Sequence, residues 1–223
     1  GLPVGKFAAV PGVRTAAGAF FDIDIQGKGG HGAFPHLAID PIPIAAQLVS
    51  ALQTVVSRST SPNDSVVFSI TKIHAGDAYN VIPDSARLSG TVRTFSMDKM
   101  RQIETQVQDL AKSTAAAFGA SATLEFKVPF HPVVNDEATT AFAGDICASI
   151  AGEDNVLRAG APGTGSEDFS FMAEQVPACY LIIGNGEDSS ALHNPGYDFN
   201  DAALVYGGSF FARVTEQELM AAP

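Results

Sequence analysis

Residues 19–28 read AFFDIDIQGK, and apolar and polar side chains alternate along them. The polar positions are Asp22, Asp24 and Gln26, and the apolar positions between them are Phe21, Ile23 and Ile25. Alternation with a period of two is typical of a strand that buries one face and exposes the other. The stretch therefore predicts a half-buried β-strand, and the segments around it decide which fold the strand belongs to.

The segments that follow predict a β-α-β-β-α-β unit over residues 17–129. Two amphipathic helices are expected, one capped by Asp40 and one capped by Ser96. The three further strands are SVVFSITKIHA from Ser65, ARLSGTVRTF from Ala86 and SATLEFKV from Ser121. Such a unit most simply folds as an antiparallel sheet with both helices on one face, which leaves the other face open to water or to a partner.

Residues 1–16 and 130–223 differ from this unit in their sequence pattern. The later segment predicts a helix over 137–150, a Gly-rich loop, the apolar strand CYLIIG over 179–184 and a closing helix from Asp201. Alternating helix and apolar strand favours α/β layering, but the strands are too few for a doubly wound sheet. We therefore expect the two flanking segments to form an incomplete α/β domain into which the unit 17–129 is inserted.

The composition excludes several partners. The formal net charge is −11, from 24 acidic and 13 basic residues, and the basic residues form no run. This balance argues against nucleic acid and against an anionic membrane surface. No stretch approaches the roughly 20 apolar residues of a membrane span. The two cysteines, Cys147 and Cys179, are too few for a disulfide framework, and we expect reduced, buried thiols in a cytoplasmic protein.

The Gly-rich segment 27–40, GKGGHGAFPHLAID, carries His31 and His36. Glycines on both sides of His31 give the backbone unusual freedom, so the imidazole is expected on a loop beyond a strand end. A five-residue spacing across a proline, with no acidic neighbour, is not a recognised metal-ligand geometry. His31 is therefore either a working imidazole or a histidine that bonds its own turn, and His36 is expected to orient the turn into the helix.

Two further segments contain residue types that are common in catalytic or metal sites, but neither contains all the side chains that such a site needs. GTGSEDF, residues 163–169, places Glu167 and Asp168 ahead of a helix, where they either line a pocket or cap the helix. LHNPGYDFND, residues 192–201, holds His193 in a proline turn, where an imidazole can bind zinc or manganese. A catalytic metal needs about three protein groups, and no H-E-x-x-H, G-x-S-x-G or P-loop pattern occurs. The residues alone leave both interpretations open.

Four segments in this order resemble the M20 metallopeptidase superfamily, and specifically its amidohydrolase branch: GKGGHGAFPHLAIDP, AGDAYNVIPDSARLSGTVRTF, GSEDFSFM and LHNPGYDFND. That branch includes hippurate hydrolases, N-acyl-amino-acid amidohydrolases and plant hydrolases of auxin conjugates. The resemblance implies an α/β catalytic domain of the zinc-peptidase type, interrupted by a β-α-β-β-α-β lid, or dimerisation, domain through which homodimers form. It also implies two divalent metals per complete site (zinc, manganese, cobalt or nickel), which activate water to attack the amide of an N-acyl amino acid.

The resemblance also implies roles for individual residues. His193 matches the late metal-binding histidine of the family. His31 matches the lid histidine that reaches into the partner subunit's site and stabilises the tetrahedral oxyanion. Asn80 matches a lid residue that holds the substrate, again across the dimer. Glu167 and Asp168 match a loop that lines the site.

The sequence departs from the family pattern at its start. Family members carry an N-terminal section with most of the metal ligands and the general base, followed by a GLPVG-like phrase, which here is residues 1–5. Two interpretations follow. Either the chain is the C-terminal part of a complete amidohydrolase, inactive when isolated, or it is a non-catalytic dimerisation or binding module. For the chain alone we expect a well-folded lid and a poorly packed remainder, unless the missing half is bound.

Overall fold

The computed structural model describes residues 1–221, which fall into two compact units. The first, the lid unit, comprises Thr15–Pro132 and Thr164–Glu167. The second, the flanking unit, comprises Gly1–Arg14, Val133–Gly163 and the described residues from Asp168 onward. The segment Thr164–Glu167 therefore belongs to the lid unit by its contacts, although it follows that unit in sequence.

The regular elements of the two units alternate along the chain. The strands are β1 (Phe7–Ala8), β2 (Gly12–Val13), β3 (Ala17–Gln26), β4 (Gly30–His31), β5 (Val66–Ala75), β6 (Val81–Ile82), β7 (Ser85–Thr94), β8 (Ser121–Phe130), β9 (Val134–Asn135), β10 (Val156–Leu157) and β11 (Ile182–Ile183). The α-helices are α1 (Pro41–Ser57), α2 (Met97–Ala117), α3 (Glu137–Ala151), α4 (Ser170–Ala173) and α5 (Leu204–Ala221). Short 3-10 helices span Pro35–Leu37, Glu153–Asn155 and Asp201–Ala203.

The lid unit contains a four-stranded antiparallel sheet in the order β5-β7-β3-β8, with α1 and α2 packed against one face. Each helix begins where its sequence predicts. The Asp40 carboxylate accepts the Ile42 N–H at 2.9 Å ahead of α1, and the Ser96 hydroxyl accepts the Lys99 N–H at 3.4 Å ahead of α2. The β-α-β-β-α-β fold expected from the periodicity is confirmed.

The lid core lies between the sheet and the two helices. Its fully buried large side chains come from alternate positions of β3 and β7 and from one stripe of each helix: Phe21, Ile23, Ile25, Ile44, Leu48, Leu52, Val55, Leu88, Met100 and Ile103. The rings of Phe21 and Phe68 stack at a centroid distance of 5.0 Å. Gly90, on the strand between them, has no room for a side chain, because a Cβ would overlap the Phe21 ring and the Ser69 carbonyl.

The opposite face of the lid sheet is polar. Arg87 on β7 donates two hydrogen bonds to the Asp24 carboxylate on β3, at 2.6 and 2.8 Å. Next to this pair, the Ser89 hydroxyl donates to the Asp22 carboxylate. Both members of the ion pair are about half exposed, with side-chain exposures of 56% and 47%, so it adds little to stability. This face remains open to water, as the alternation in β3 predicts.

The flanking unit has a much smaller core. Strand β1 pairs in parallel with β10 and antiparallel with β11. Among the described residues, the buried cluster of this unit comprises Phe7, Ala9, Cys147 and Val156, with seven partly buried hydrophobic residues packed against it. The prediction of a buried strand over 179–184 is wrong in extent, because only Ile182–Ile183 pairs and Ile182 is 44% exposed. Among the helices of residues 1–221, none has the length and apolar character that a membrane crossing needs.

Replacing Gly90 with alanine tests the packing at the centre of the lid sheet. We expect Gly90→Ala to lower the free energy of unfolding by about 1–3 kcal/mol, because the added methyl group must displace an aromatic ring and a backbone carbonyl. Urea denaturation followed by circular dichroism measures the change. Gly208→Ala in α5, where the added methyl meets open space, is the control and should be neutral or stabilising. Equal midpoints for Gly90→Ala and wild type would contradict the packing.

Candidate functional site

Two loops of the lid unit are joined into one ribbon. Strand β4 lies in the loop between β3 and α1, β6 lies in the loop between β5 and β7, and the two pair antiparallel with His31 opposite Val81. The Gly32 N–H donates to the Asn80 carbonyl at 2.8 Å and extends the pairing by one bond. The Asp84 carboxylate accepts the Gly29 N–H at 2.8 Å. His31 and Asn80, 49 positions apart in sequence (80 minus 31), are thus brought side by side.

The glycines of this ribbon serve close approach rather than unusual backbone angles. None of Gly27, Gly29 and Gly32 is among the residues with positive φ. A Cβ on Gly27 would overlap the Ile39 carbonyl, and one on Gly29 would overlap the carbonyl of the paired strand β6. The conformational freedom that the sequence suggested is therefore not the reason for these glycines. They let two backbones pack closely enough to hold the histidine loop in place.

The His31 side chain has a defined tautomer. Its Nδ1 accepts a hydrogen bond from the Ala33 N–H at 3.0 Å, so in this arrangement Nδ1 carries no proton. In the neutral ring the proton must then reside on Nε2, which is left as a hydrogen-bond donor. The residue is exposed. His31 thus bonds its own turn and also presents an N–H to solvent, so the two interpretations drawn from the sequence are compatible.

The loop 164–167 lies against the first residues of strand β3. The Ala16 N–H donates to the Gly165 carbonyl at 2.9 Å, and the Ser166 hydroxyl lies so close to Gly18 that a Cβ there would overlap it. This hydroxyl is buried and has no hydrogen-bond partner among the residues that the structure describes. Glu167 is half buried beside it, in the lid unit, whereas Asp168 is exposed in the flanking unit.

Arg93 is a candidate residue that the sequence analysis did not single out. Its guanidinium is half buried, donates to the Thr91 hydroxyl and the Val92 carbonyl, and lies 5.7 Å above the Phe20 ring. It also approaches Gly18 from the side where Ser166 lies. Arg93 and Thr164 both line a cavity of about 350 Å³ in the lid unit. The alternation in β7 is enough to predict that Arg93 lies on the open face of the sheet. It does not predict the contacts of Arg93 with residues that are distant in sequence.

His193 lies in the flanking unit and is exposed. Its φ is 62°, and it is the one non-glycine residue with positive φ among those that the structure describes. A left-handed conformation is uncommon outside glycine, and such strain is more frequent at functional sites. The Asn185 side chain fixes the loop that carries it, donating to the Asp198 carbonyl at 2.9 Å and accepting the Asn200 N–H at 2.7 Å.

The described residues do not form a metal centre by themselves. Within residues 1–221, no three His, Cys, Asp or Glu side chains lie close enough together to hold a metal ion. His193 therefore offers one ligand and not a site. Burial raises the pKa of the Cys147 thiol to about 12 and also raises the pKa of Cys179. Both thiols are therefore protonated near pH 7 in the metal-free chain.

Comparison with known proteins identifies the lid unit. Residues 14–118 match the family of M20 peptidase dimerisation domains. The chain is 37% identical over 215 residues to an N-acetylcysteine deacetylase of Bacillus subtilis, a match that covers 96% of this chain and 55% of the relative. It is 34% identical over 227 residues to an IAA-amino acid hydrolase of Arabidopsis thaliana, covering 98% of this chain and 51% of the relative.

The fold matches solved structures as well. The crystal structure of a dinuclear metal-binding peptidase of the M20 family from Bacillus subtilis superposes with a TM-score of 0.78 at 30% identity. The match covers 96% of this chain and 53% of that one. The chain thus spans about half the length of the relatives it matches, from 51% to 55% of the two enzymes above.

The tautomer of His31 can be measured directly. In nitrogen-15 spectra of the neutral imidazole, we expect His31 to show a protonated Nε2 and an unprotonated Nδ1. The cause is the Ala33 N–H, which donates to Nδ1 and would lose its acceptor in the other tautomer. His74, exposed on strand β5, is the internal control and should show a mixture of tautomers. A predominant Nδ1–H form of His31 would contradict the bond.

Proposed function

Because this chain belongs to the M20 peptidase family, we propose that it forms the lid and part of the catalytic domain of a metal-dependent amidohydrolase acting on N-acyl amino acids. The observation that carries the proposal is the His31 tautomer. The Ala33 N–H occupies Nδ1 and leaves Nε2–H as a donor on a braced, exposed ribbon. Two relatives of this chain are a deacetylase of N-acetylcysteine and a hydrolase of IAA-amino acids, which supports this substrate class.

In this proposal His31 donates from Nε2 to the oxygen of the scissile carbonyl as negative charge develops there. A preorganised neutral donor suits this task because it needs no rearrangement during the reaction. Asn80, one residue from the pairing partner of His31, holds the substrate with its side-chain amide. Both residues are proposed to act in the site of the partner subunit, consistent with their exposure on this chain.

The free carboxylate of an N-acyl amino acid needs a cationic partner. We assign this role to Arg93, since its guanidinium lines a cavity beside the loop of Ser166 and Glu167. A planar guanidinium can bind a carboxylate through two parallel hydrogen bonds. Glu167 and Asp168 are each proposed to line a substrate site.

The described residues supply too few ligands for the divalent metals of the family. We propose that His193 contributes one ligand and that further polypeptide supplies the other ligands and the general base. This chain together with that polypeptide is called the complete enzyme below. The apolar surface of α5 supports the idea, because Leu204, Val205 and Phe211 are 60%, 66% and 71% exposed and require a cover. A single imidazole does not discriminate zinc, manganese, cobalt and nickel.

We also propose that the chain forms a homodimer along strand β5. The matched dimerisation family ends at residue 118, before β8 begins, and so covers only one of the two sheet edges. The β5 edge carries exposed apolar side chains, with Val67 at 44% and Ile73 at 56%. An unpaired strand edge readily accepts a second strand. A cytoplasmic location is proposed from the two free thiols.

Loss of the His31 donor should slow catalysis without loss of metal. In the complete enzyme, His31→Ala is expected to lower kcat by about 10²–10³-fold, the usual cost of removing one oxyanion donor. The measurements are steady-state kinetics with an N-acetyl amino acid and metal content by mass spectrometry. Asp109→Ala, at an exposed position on α2, is the control and should change kcat little. If metal content falls with His31→Ala, the residue is a ligand and the proposed role is wrong.

Hybrid dimers test whether His31 acts in the partner's site. A protomer with His31→Ala retains its own His193, and a protomer with His193→Ala retains its own His31. If the two residues meet across the dimer, each hybrid of these inactive variants gains one intact site of two. Random exchange in an equal mixture makes about half of the dimers hybrids, so the mixture should recover about a quarter of wild-type activity. No recovery after proven subunit exchange would place both residues in one subunit. Absence of hydrolysis by the wild-type complete enzyme would favour a non-catalytic dimerisation module.

Charges placed on the β5 edge should dissociate the dimer. We expect the double variant Val67→Lys and Ile73→Lys to raise the dimer dissociation constant by about 100-fold or more, because two-fold symmetry introduces each charge twice. Sedimentation equilibrium measures it. The control is Thr123→Lys, an exposed position on the β8 edge. Dissociation by the control alone would place the interface on the other edge.

A further inference from the structure

The ring of Phe34 lies against the imidazole of His31. Their centroids are 5.5 Å apart with the planes tilted by 51°, and the His36 ring also meets Phe34, edge-on, at a centroid distance of 6.3 Å. The Phe34 N–H also donates to the His31 carbonyl at 2.8 Å, which fixes the backbone between the two rings. Despite these contacts, 53% of Phe34 is exposed. A rigidly held apolar ring thus stands beside the proposed oxyanion donor with half of its surface uncovered.

The position of the substrate carbonyl relative to Phe34 follows from the proposed role of His31. An oxyanion bound by Nε2 lies about 3 Å from that nitrogen, so the carbonyl lies close to the pair of rings. An acetyl group ends one carbon–carbon bond, about 1.5 Å, beyond the carbonyl carbon. A benzoyl or phenylacetyl group extends several ångström further. Its ring can therefore contact another aromatic ring at a centroid distance of about 4.5–7 Å, which aromatic pairs in proteins prefer.

We propose that Phe34 is a specificity-determining residue that contacts the acyl group of the substrate and favours large aromatic acyl groups over acetyl. This inference rests on the proposed function and names the substrate class more closely. The exposed face of Phe34 is the contact surface. Its ring is held in place by His31 and His36 before substrate binds, so little ordering is required on binding.

The acyl end of the substrate fits this surface better than the amino acid end. The amino acid end carries a carboxylate, whose transfer to an apolar surface without a partner is costly. The exposed neighbour of Phe34 in the loop is Leu37, also apolar and 64% exposed. The segment from Gly29 to Ile39 contains no lysine or arginine. In the proposed arrangement across the dimer, Arg93 of the protomer whose site receives His31 offers the cationic partner that the carboxylate needs, which leaves the uncharged acyl group for the Phe34 ring.

The test compares two substrates that differ only in the acyl group. N-benzoyl and N-acetyl derivatives of one amino acid are assayed with the metal-loaded complete enzyme, and selectivity is the ratio of their kcat/KM values. We expect wild type to favour the benzoyl substrate and Phe34→Ala to lower the ratio by about tenfold, the loss of one aromatic contact. Phe34→Tyr keeps the ring and should preserve the ratio. Phe118→Ala removes a ring of similar exposure (51%) at the C-terminal end of α2; it is the matched control and should also leave the ratio unchanged.

Each other outcome overturns the inference in a distinct way. An equal fall of both kcat/KM values in Phe34→Ala would mean that the ring only positions His31. A changed preference for the amino acid, measured with a second pair of substrates, would place Phe34 at the other end of the substrate. Monomer formation by Phe34→Ala in sedimentation would mean that a second copy covers the ring. If wild type hydrolyses neither substrate, the proposed function itself fails.

Discussion

The antiparallel pairing of two short segments, Gly30–His31 with Val81–Ile82, is the constraint on which the candidate site depends. Each loop on its own would be a mobile connection between lid elements. Together they form a ribbon, which the Asp84 carboxylate anchors at its base through the Gly29 N–H. The glycines at positions 27, 29 and 32 are what allow the backbones to approach so closely. The position of His31 is therefore determined by the pairing of two loops and not by the sequence motif around His31 alone.

The ribbon can be rigid because the sheet below it is rigid. Strands β3 and β7 pair over ten residues without interruption, from Ala17 opposite Thr94 to Gln26 opposite Ser85. The two loops of the ribbon leave this pair at its last residues, so the spacing between them is set by the sheet. The core under the sheet excludes water almost completely, as the full burial of Ile23 and Leu88 shows. Packing of the lid thus supplies the precision that a hydrogen-bond donor needs.

Much of the lid was predictable because its signals are local. A period of two in residues 19–28, helical spacing after Asp40 and the cap at Ser96 each predict one element, and the structure confirms them. The β4–β6 pairing was not predictable, because two-residue strands carry no periodic signal. The strand expected over 179–184 was overestimated for a related reason: apolar residues indicate burial, but pairing requires a neighbour, and only Ile182–Ile183 has one. Ser166 and Arg93 are brought together only by the tertiary fold.

Exposure is the feature that His31, Asn80 and Phe34 share, and it has a physical reason. A donor that stabilises charge is strongest in a dry, low-dielectric environment, yet on this chain the ribbon is surrounded by water. Its full electrostatic effect therefore requires a second surface to close over it. The Ala33 N–H already donates to Nδ1 before that closure. The proton of the neutral ring is therefore already on Nε2 when water is expelled. In the proposed complete enzyme, preorganisation of the donor on one surface and its desolvation by another are thus contributed by two different parts of the assembly.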